Sequence, residues 1–265
     1  MNVQKDWKEG ILRFFFPPHC AICGAVLPWG EQNKILCEAC AAHTPFLSGE
    51  RCRMCGREID NDVLCQRCRY ADFAFSAGAA VFSYATMRQA IAWLKFQGYR
   101  NDAKAIGVLM AQYLQQQYPD WVEWTDAIAV VPLHPNKRKW RGFNQVSCLC
   151  EVLSKETNLP IWDNVLIRQV DTIPQSRLSQ KQRKENLRHV FAISQSYDVT
   201  DKHILLVDDL FTTGTTLQEC SRTLLRAGAA EVRVFCLAVV SKCEKTQEIP
   251  DKKRQNLGDF MKLEK

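Results

Sequence analysis

Apolar and polar positions divide the chain into three zones, residues 1–70, 76–242 and 243–265. In the middle zone short apolar runs alternate with segments whose apolar residues recur every three or four positions. Ala79–Tyr84 reads as a strand; Met87, Ile91 and Leu94 then share one helical face, with Gly98 as a stop. A second helix is expected over Ala103–Gln117, ended by Pro119. Asp126–Val131 is nearly all apolar and bounded by Pro132, the pattern of a parallel strand buried on both faces. Gln145–Lys155 reads as helix, Val165–Ile167 as strand, and Ser179–Leu187 as a polar helix or a loop. His203–Val207, Thr215–Ala227 and Val232–Val240 complete a strand–helix–strand unit. This alternation predicts an α/β fold, Rossmann-like, with a mostly parallel sheet and helices on both faces. Ligands of such sheets bind beyond the C-terminal ends of the strands. The first zone lacks long periodic segments, and the last is polar and charged throughout, so it is expected to be disordered.

Composition excludes two classes of protein. Apolar residues at 46% and charged residues at 24% are those of a folded globular chain. No apolar run approaches the roughly 18–20 residues of a membrane helix. Ile11–Phe16 is short, broken by Arg13 and followed by no small-residue cleavage site, so no signal peptide and no membrane insertion are expected, and the location should be cytoplasmic. The formal charge of +6 is concentrated: residues 134–188 hold eleven Lys or Arg against five Asp or Glu, which leaves the rest balanced. Such a stretch suits a polyphosphate or a nucleic-acid backbone, or is a solvated helix face.

Of thirteen cysteines, eight form four Cys-x-x-Cys pairs: Cys20/Cys23, Cys37/Cys40, Cys52/Cys55 and Cys65/Cys68. A redox role needs one pair only, and clustered cysteines in a cytosolic chain point to metal. Cys23-Gly24 and Cys55-Gly56 give the knuckle turn in which backbone amides approach thiolates. Two structural zinc sites of four cysteines follow. Sequential pairing closes shorter loops than interleaved pairing and is the expected arrangement. A segment this size without a long apolar element needs the metal for its folding energy. His19 and His43 are then surplus, and Cys148, Cys150, Cys220, Cys236 and Cys243 are small apolar residues.

The other chemistry-bearing stretch is Ile204-Leu-Leu-Val-Asp208-Asp209-Leu-Phe-Thr212-Thr213-Gly214-Thr215-Thr216-Leu217. An apolar strand delivers two carboxylates, and a Thr/Gly turn opens a helix whose free amides and dipole favour an anion. Threonine hydroxyls add donors, and glycine allows close backbone approach. Carboxylates cannot hold a phosphate but can accept hydrogen bonds from vicinal sugar hydroxyls. The arrangement suits a ribose 5-phosphate gripped at both ends; a capped strand-to-helix turn with no ligand is the plainer alternative. No Walker A spacing is present.

This stretch closely resembles the phosphoribosyl-diphosphate signature of type I phosphoribosyltransferases. Val131-Pro-Leu-His134-Pro, Arg141-Gly-Phe-Asn144-Gln145, Pro174-Gln-Ser-Arg-Leu178-Ser and Arg183-Lys-Glu-Asn186-Leu187, with the cysteine pairs, narrow the resemblance to the ComF family, also called ComFC or GntX-like proteins. The resemblance spans roughly residues 12–242. It implies a type I phosphoribosyltransferase fold behind a double zinc ribbon, phosphoribosyl diphosphate bound with Mg²⁺, and a place in natural DNA uptake and transformation. By that resemblance Asp208 and Asp209 hold the ribose hydroxyls, and Thr212, Thr213, Gly214, Thr215 and Thr216 cradle the 5-phosphate. The turn at Val131–Pro135 takes the diphosphate, with Arg138, Arg141, Arg177 and Arg183 closing over it; general surface charge is the alternative for these arginines, and loop packing for His134. Two functions stay open. One is a phosphoribosyltransferase of unknown acceptor; the other is a non-catalytic protein that handles single-stranded DNA or senses phosphoribosyl diphosphate. Trp140 and Phe143 beside Lys137–Arg141 suit a single strand, although core packing accounts equally for Phe143. DNA-uptake proteins and a second copy of the chain are the expected protein partners.

Overall fold

The computed structural model describes residues 19–28, 36–95, 100–133, 135–168 and 190–240. The Gly98 stop, His134, the Ser179–Leu187 segment with Arg177 and Arg183, Cys243 and the expected tail lie outside the described residues.

Five parallel strands form the central sheet: β1 (Ala77–Ser83), β2 (Ala127–Val130), β3 (Ile161–Trp162), β6 (His203–Phe211) and β7 (Glu231–Val239), in the order β1-β7-β6-β2-β3. Two further strands, β4 (Leu166–Arg168) and β5 (Phe191–Ile193), make a separate antiparallel hairpin. β2 is buried throughout, as its unbroken apolar run requires. Alternate residues of each strand enter two cores. Ile128, Val130, Leu205, Val207, Phe235 and Leu237 pack on one face, and Ala127, Ala129, Ile204, Leu206, Val234 and Cys236 on the other.

Eight helices are described. α1 (Glu38–Ala42) and α2 (Gln66–Arg69) are single turns in the cysteine-rich zone. The helices α3 (Tyr84–Trp93), α4 (Arg100–Gln117), α5 (Pro119–Trp124), α6 (Pro135–Arg141), α7 (Gln145–Thr157) and α8 (Thr215–Arg226) belong to the sheet region. Ser83 caps α3 by accepting from Thr86 N at 3.3 Å, and Asn144 caps α7 by accepting from Val146 N at 3.1 Å. α7 stops where Asn158 turns left-handed, φ 58°.

Three details differ from the sequence expectation. Pro119 opens α5 at its first turn rather than only closing α4, because proline's missing N–H is no loss there. The strand expected at 203–207 continues through Phe211, since Asp208, Leu210 and Phe211 stay in register with β7. The strand expected at 165–167 is half of the β4–β5 hairpin and lies outside the parallel sheet.

The edge of β1 is covered by the cysteine-rich zone, which hides an otherwise open row of backbone groups. Leu47 N donates to Val81 O at 2.9 Å, and Gly78 N donates to Arg53 O at 2.8 Å. This contact has no room for side chains: a Cβ on Gly56 would lie 2.2 Å from Ala80 N, and one on Gly78 2.3 Å from Met54 O.

Candidate functional site

The eight paired cysteines gather into two sets, Cys20/Cys23/Cys37/Cys40 and Cys52/Cys55/Cys65/Cys68, with the sulfurs of each within 4.8 Å of one another. Pairing is sequential, as short loop closure favours. Both sets are built alike. Cys20 N donates to Ala25 O and Gly24 N to Cys20 O, at 2.8 and 2.9 Å; Cys52 N donates to Arg57 O and Gly56 N to Cys52 O, both at 2.8 Å. Gly24 and Gly56 take φ of 75° and 72°, the left-handed turn that only glycine adopts without strain. One-residue bridges, His19 with Val26 and Arg51 with Glu58, close each knuckle.

Geometry fits zinc. Four sulfurs about 2.3 Å from a tetrahedral ion lie about 3.8 Å apart. Cys23 Sγ and Cys37 Sγ are 3.7 Å apart, and Cys55 Sγ and Cys65 Sγ 3.9 Å. In the second set hydrogen bonding from Cys55 pulls the Cys52 thiol down, while Cys52 pushes Cys55 up to about 12 and pushes Cys68 up as well. Cys52, Cys55 and Cys68 compete there for negative charge that a divalent cation would neutralise. The chain carries two four-cysteine zinc sites. The surplus His19 donates from Nε2 to Asp102 Oδ2 at 3.1 Å instead of joining a set. Cys150, Cys220 and Cys236 are buried, and burial pushes their thiols up, so they act as neutral apolar filler.

The turn after β6 lies at the C-terminal end of the sheet. Thr212, Thr213, Thr215 and Thr216 are exposed, whereas Phe211, Gly214 and Leu217 are buried. Thr213 Oγ1 and Thr215 Oγ1 are 2.9 Å apart, and Gly214, at φ 79°, stands at the N-cap of α8 without a side-chain cap. Thr215 N, the first amide of the helix, donates to Thr213 Oγ1 at 3.4 Å, and with no side chain at Gly214 the amides that follow can face an anion. A Cβ on Gly214 would come within 2.8 Å of both Phe211 and Phe73, so a bare backbone here is demanded by packing as well as by φ.

Asp208 and Asp209 precede this turn. Asp208 Oδ1 accepts from Asp209 N at 2.8 Å. Burial first, and the Asp209 charge second, push the Asp208 carboxyl well above the usual range. Among the described residues neither carboxylate has an ion-pair partner, so a cation or a set of hydroxyl donors would relieve the pair.

Residues quoted from the sequence for other reasons, and two that it did not single out, Arg67 and Gln218, tie this turn to the rest of the site. Gln145 Nε2 donates to Asp209 Oδ2 at 2.8 Å, and Gln145 Oε1 accepts from Arg141 Nη1 at 3.3 Å, which links the basic helix α6 to the acidic pair. Asn144 Nδ2 donates to Val131 O at 3.2 Å and fixes the turn after β2. Arg138 lines a cleft of about 220 Å³ with Pro132, Leu133, Pro135, Asp163 and Arg168. From the second zinc site, Arg67 Nη1 donates to Thr212 O at 3.0 Å. Gln218, buried in α8, donates to Asp72 O at 2.8 Å and accepts from Ala74 N at 2.5 Å. A polar residue at a core position of α8 was the available signal for Gln218; a surface arginine such as Arg67 carries none.

Comparison with known proteins gives matches to both parts of the chain. The double zinc ribbon domain family matches residues 11–69, and the phosphoribosyl transferase domain family residues 161–260. The DNA utilization protein YhgH of Escherichia coli K12 is 32% identical over 225 residues, 83% of this chain and 96% of its own length. Competence protein F of Haemophilus influenzae is 29% identical, covering 83% of this chain and 84% of its own, and competence protein ComFC of Bacillus subtilis is 28% identical, covering 78% and 85%. Among solved structures, a glutamine phosphoribosylpyrophosphate amidotransferase from B. subtilis overlays 59% of this chain and 33% of its own at 20% identity with a TM-score of 0.37, too loose to add to the family matches. No helix among the described residues is long and apolar enough to cross a membrane.

Proposed function

Because this chain belongs to the ComF family, with a double zinc ribbon and a phosphoribosyltransferase domain, we propose that it binds phosphoribosyl diphosphate at the turn after β6 and transfers its phosphoribosyl group. The observation that carries this is the Thr-rich start of α8, where Gly214 puts no side chain over the helix end, directly behind a carboxylate pair that has no ion-pair partner among the described residues. Asp208 and Asp209 accept from the ribose hydroxyls, and Thr212–Thr216 hold the 5-phosphate. Arg138, Arg141, Arg177 and Arg183 are the cations assigned to the diphosphate; the Arg141–Gln145–Asp209 chain supports this for Arg141, and the cleft beside the turn after β2 supports it for Arg138. Asp208 and Asp209 are the carboxylates that would hold a Mg²⁺ arriving with the diphosphate, which would supply charge neutralisation at the leaving group.

A nitrogen nucleophile attacks C1 of the ribose. The C1–N bond forms, the C1–O bond breaks with its electron pair leaving on diphosphate, and the nitrogen loses its proton to solvent. Oxocarbenium character develops at C1, so orientation by the two ends of the sugar and arginine charge at the leaving oxygens supply the acceleration. No side chain forms a covalent bond.

The functional units follow as residues 1–70 for the double zinc ribbon and 76–242 for the transferase-type domain, with 243–265 as a tail. Reduced zinc thiolates favour the cytoplasm. The competence proteins among the relatives extend the proposal to natural DNA uptake, with single-stranded DNA, the uptake machinery and a second copy of the chain as partners. A non-catalytic reading has its own support: Trp140 is 68% exposed on α6 between Lys139 and Arg141, a stacking group on a basic surface. Two assays decide between them. Diphosphate release from phosphoribosyl diphosphate, Mg²⁺ and a mixture of bases marks the enzyme. Single-strand binding that weakens steeply with salt and with reversal of Arg138 and Lys139, without diphosphate release, marks the other.

A further inference from the structure

A cavity of about 410 Å³ opens at the other end of the sheet, where the second zinc knuckle meets the first residues of β1 and β7. Its volume is in the range of small-molecule sites, about 300–1,000 Å³. It is separated from the turn after β6 by the length of β7, roughly 25 Å at about 3.3 Å per residue. Three arginines line it, Arg51, Arg53 and Arg233, together with Tyr118 and Trp121.

Charge in this cavity is poorly compensated. Among the described residues Arg51 has only neutral partners: it donates to Tyr113 Oη and, at 3.1 Å, to Gln117 Oε1, and it lies 5.6 and 5.5 Å from the ring centroids of Tyr113 and Tyr118. Arg53 is exposed and has no ion-pair partner among the described residues. Arg233 is held by Glu231 at 3.1 Å and sits over Trp124 and Trp121, at 4.0 and 5.4 Å from their centroids. Glu231, the one lining carboxylate, is already engaged by Ser76 Oγ, Arg233 and Trp124 Nε1. Rigid cations alternate with aromatic faces, which is what a ligand with both an anion and a planar ring requires.

We infer that this cavity is a second anion site, distinct from the phosphoribosyl turn, that takes a nucleoside monophosphate: the phosphate on Arg51 and Arg53, the base against Tyr118 and Trp121. Adenosine 5′-monophosphate is the probe, followed by tryptophan fluorescence and calorimetry on the full chain, with adenosine and inorganic phosphate titrated separately. Two folded variants assign the site. Arg53→Glu reverses charge in the cavity, and Thr213→Glu places a carboxylate where the 5-phosphate is proposed to bind. The expected result is saturable binding of the nucleotide, tighter than of either fragment, that persists in Thr213→Glu, where the turn is closed to a 5-phosphate, and that is weakened about tenfold or more when Arg53→Glu is added to that variant. Ribose 5-phosphate should show the reverse dependence. No nucleotide binding to the wild type, binding in Thr213→Glu that the added Arg53→Glu leaves intact, or binding that Thr213→Glu abolishes overturns the inference. If ribose 5-phosphate fails to bind while the nucleotide pattern holds, the phosphoribosyl reading falls and the second site stands.

Discussion

The two zinc sites are built from the same knuckle, the same glycine turn and the same one-residue bridge, yet the protein uses them differently. In the first, Cys20 is buried, Cys37 and Cys40 are half-buried and Cys23 is exposed. It leans on helices: Trp93 of α3 lies against Gly24, and Asp102 of α4 against His19. All four cysteines of the second are buried, in one core with Ala80, Phe211 and Cys236 of the sheet. Backbone of the second knuckle meets backbone of β1, and Arg67, on the helix between its last two cysteines, reaches the carbonyl of Thr212. One local device thus serves as a peripheral clasp in one place and as part of the support of the turn after β6 in the other. The difference comes from what the knuckle packs on, not from its own sequence.

Loss of a ligand should separate the two most sharply. Cys55→Ser should lower Tm by about 10 °C or more, since each kcal/mol is about 2–4 °C for a domain of this size and a buried zinc site is worth several. Cys23→Ser should lower it clearly less and leave one zinc bound, read by elemental analysis beside the melting curve. Equal losses would show that the sites are energetically alike. In the same way a chelator should withdraw one zinc quickly and the other only as fast as the protein unfolds.

A smaller contrast lies in the glycines. Gly56→Val sets a branched side chain against the backbone of Ala79 and Ala80 at φ 72° and should cost about 2–5 kcal/mol. Gly49→Ala, also at a left-handed φ of 70° but with nothing within 4 Å, should cost about 1 kcal/mol. Denaturant melts measure both, and similar values would mean that the close approach to β1 contributes little.

Smaller again is the support given to the phosphate turn. Arg67→Ala removes one hydrogen bond to Thr212 O and should weaken ribose 5-phosphate by about 0.5–1.5 kcal/mol without loss of zinc, whereas altering the first knuckle should leave that affinity alone. Unchanged binding in Arg67→Ala would detach the second site from the turn.

Asp208 gives a pH test. Its carboxyl is raised in the fold by burial and by Asp209, so the folded state holds its proton more tightly than the unfolded chain does. Stability from this group is therefore full below the ordinary carboxylate pKa and is lost as pH rises through the folded value. Asp208→Asn should be more stable than wild type at neutral pH, with the gap closing in acid, while binding the sugar phosphate less well. A variant less stable than wild type at pH 7 would remove the unrelieved charge from the account.

Sequence spacing made the zinc ligands legible because each Cys-x-x-Cys pair is local, and the Asp-Asp to Thr-Gly-Thr turn because strand, glycine and helix start are contiguous. What the sequence hid was contact between distant positions. Gln145 reaches Asp209 across 64 residues, Arg67 reaches Thr212 across 145, and Gln218 reaches Asp72 across 146. None belongs to a periodic pattern. β3, β4 and β5, at two or three residues each, are too short for alternation to register, and β6 runs past its polar pair because pairing with β7 outweighs local polarity.

The central claim is that one sugar phosphate is gripped at both ends by Asp208–Asp209 and Thr212–Thr216. Calorimetry with phosphoribosyl diphosphate and Mg²⁺, on wild type and on folded Asp208→Asn/Asp209→Asn, tests it most directly. The account predicts saturable binding to wild type and a loss of about 1–3 kcal/mol, roughly ten- to hundredfold, in the double variant. Absence of binding to the wild type, or equal affinity in the two proteins, would contradict it.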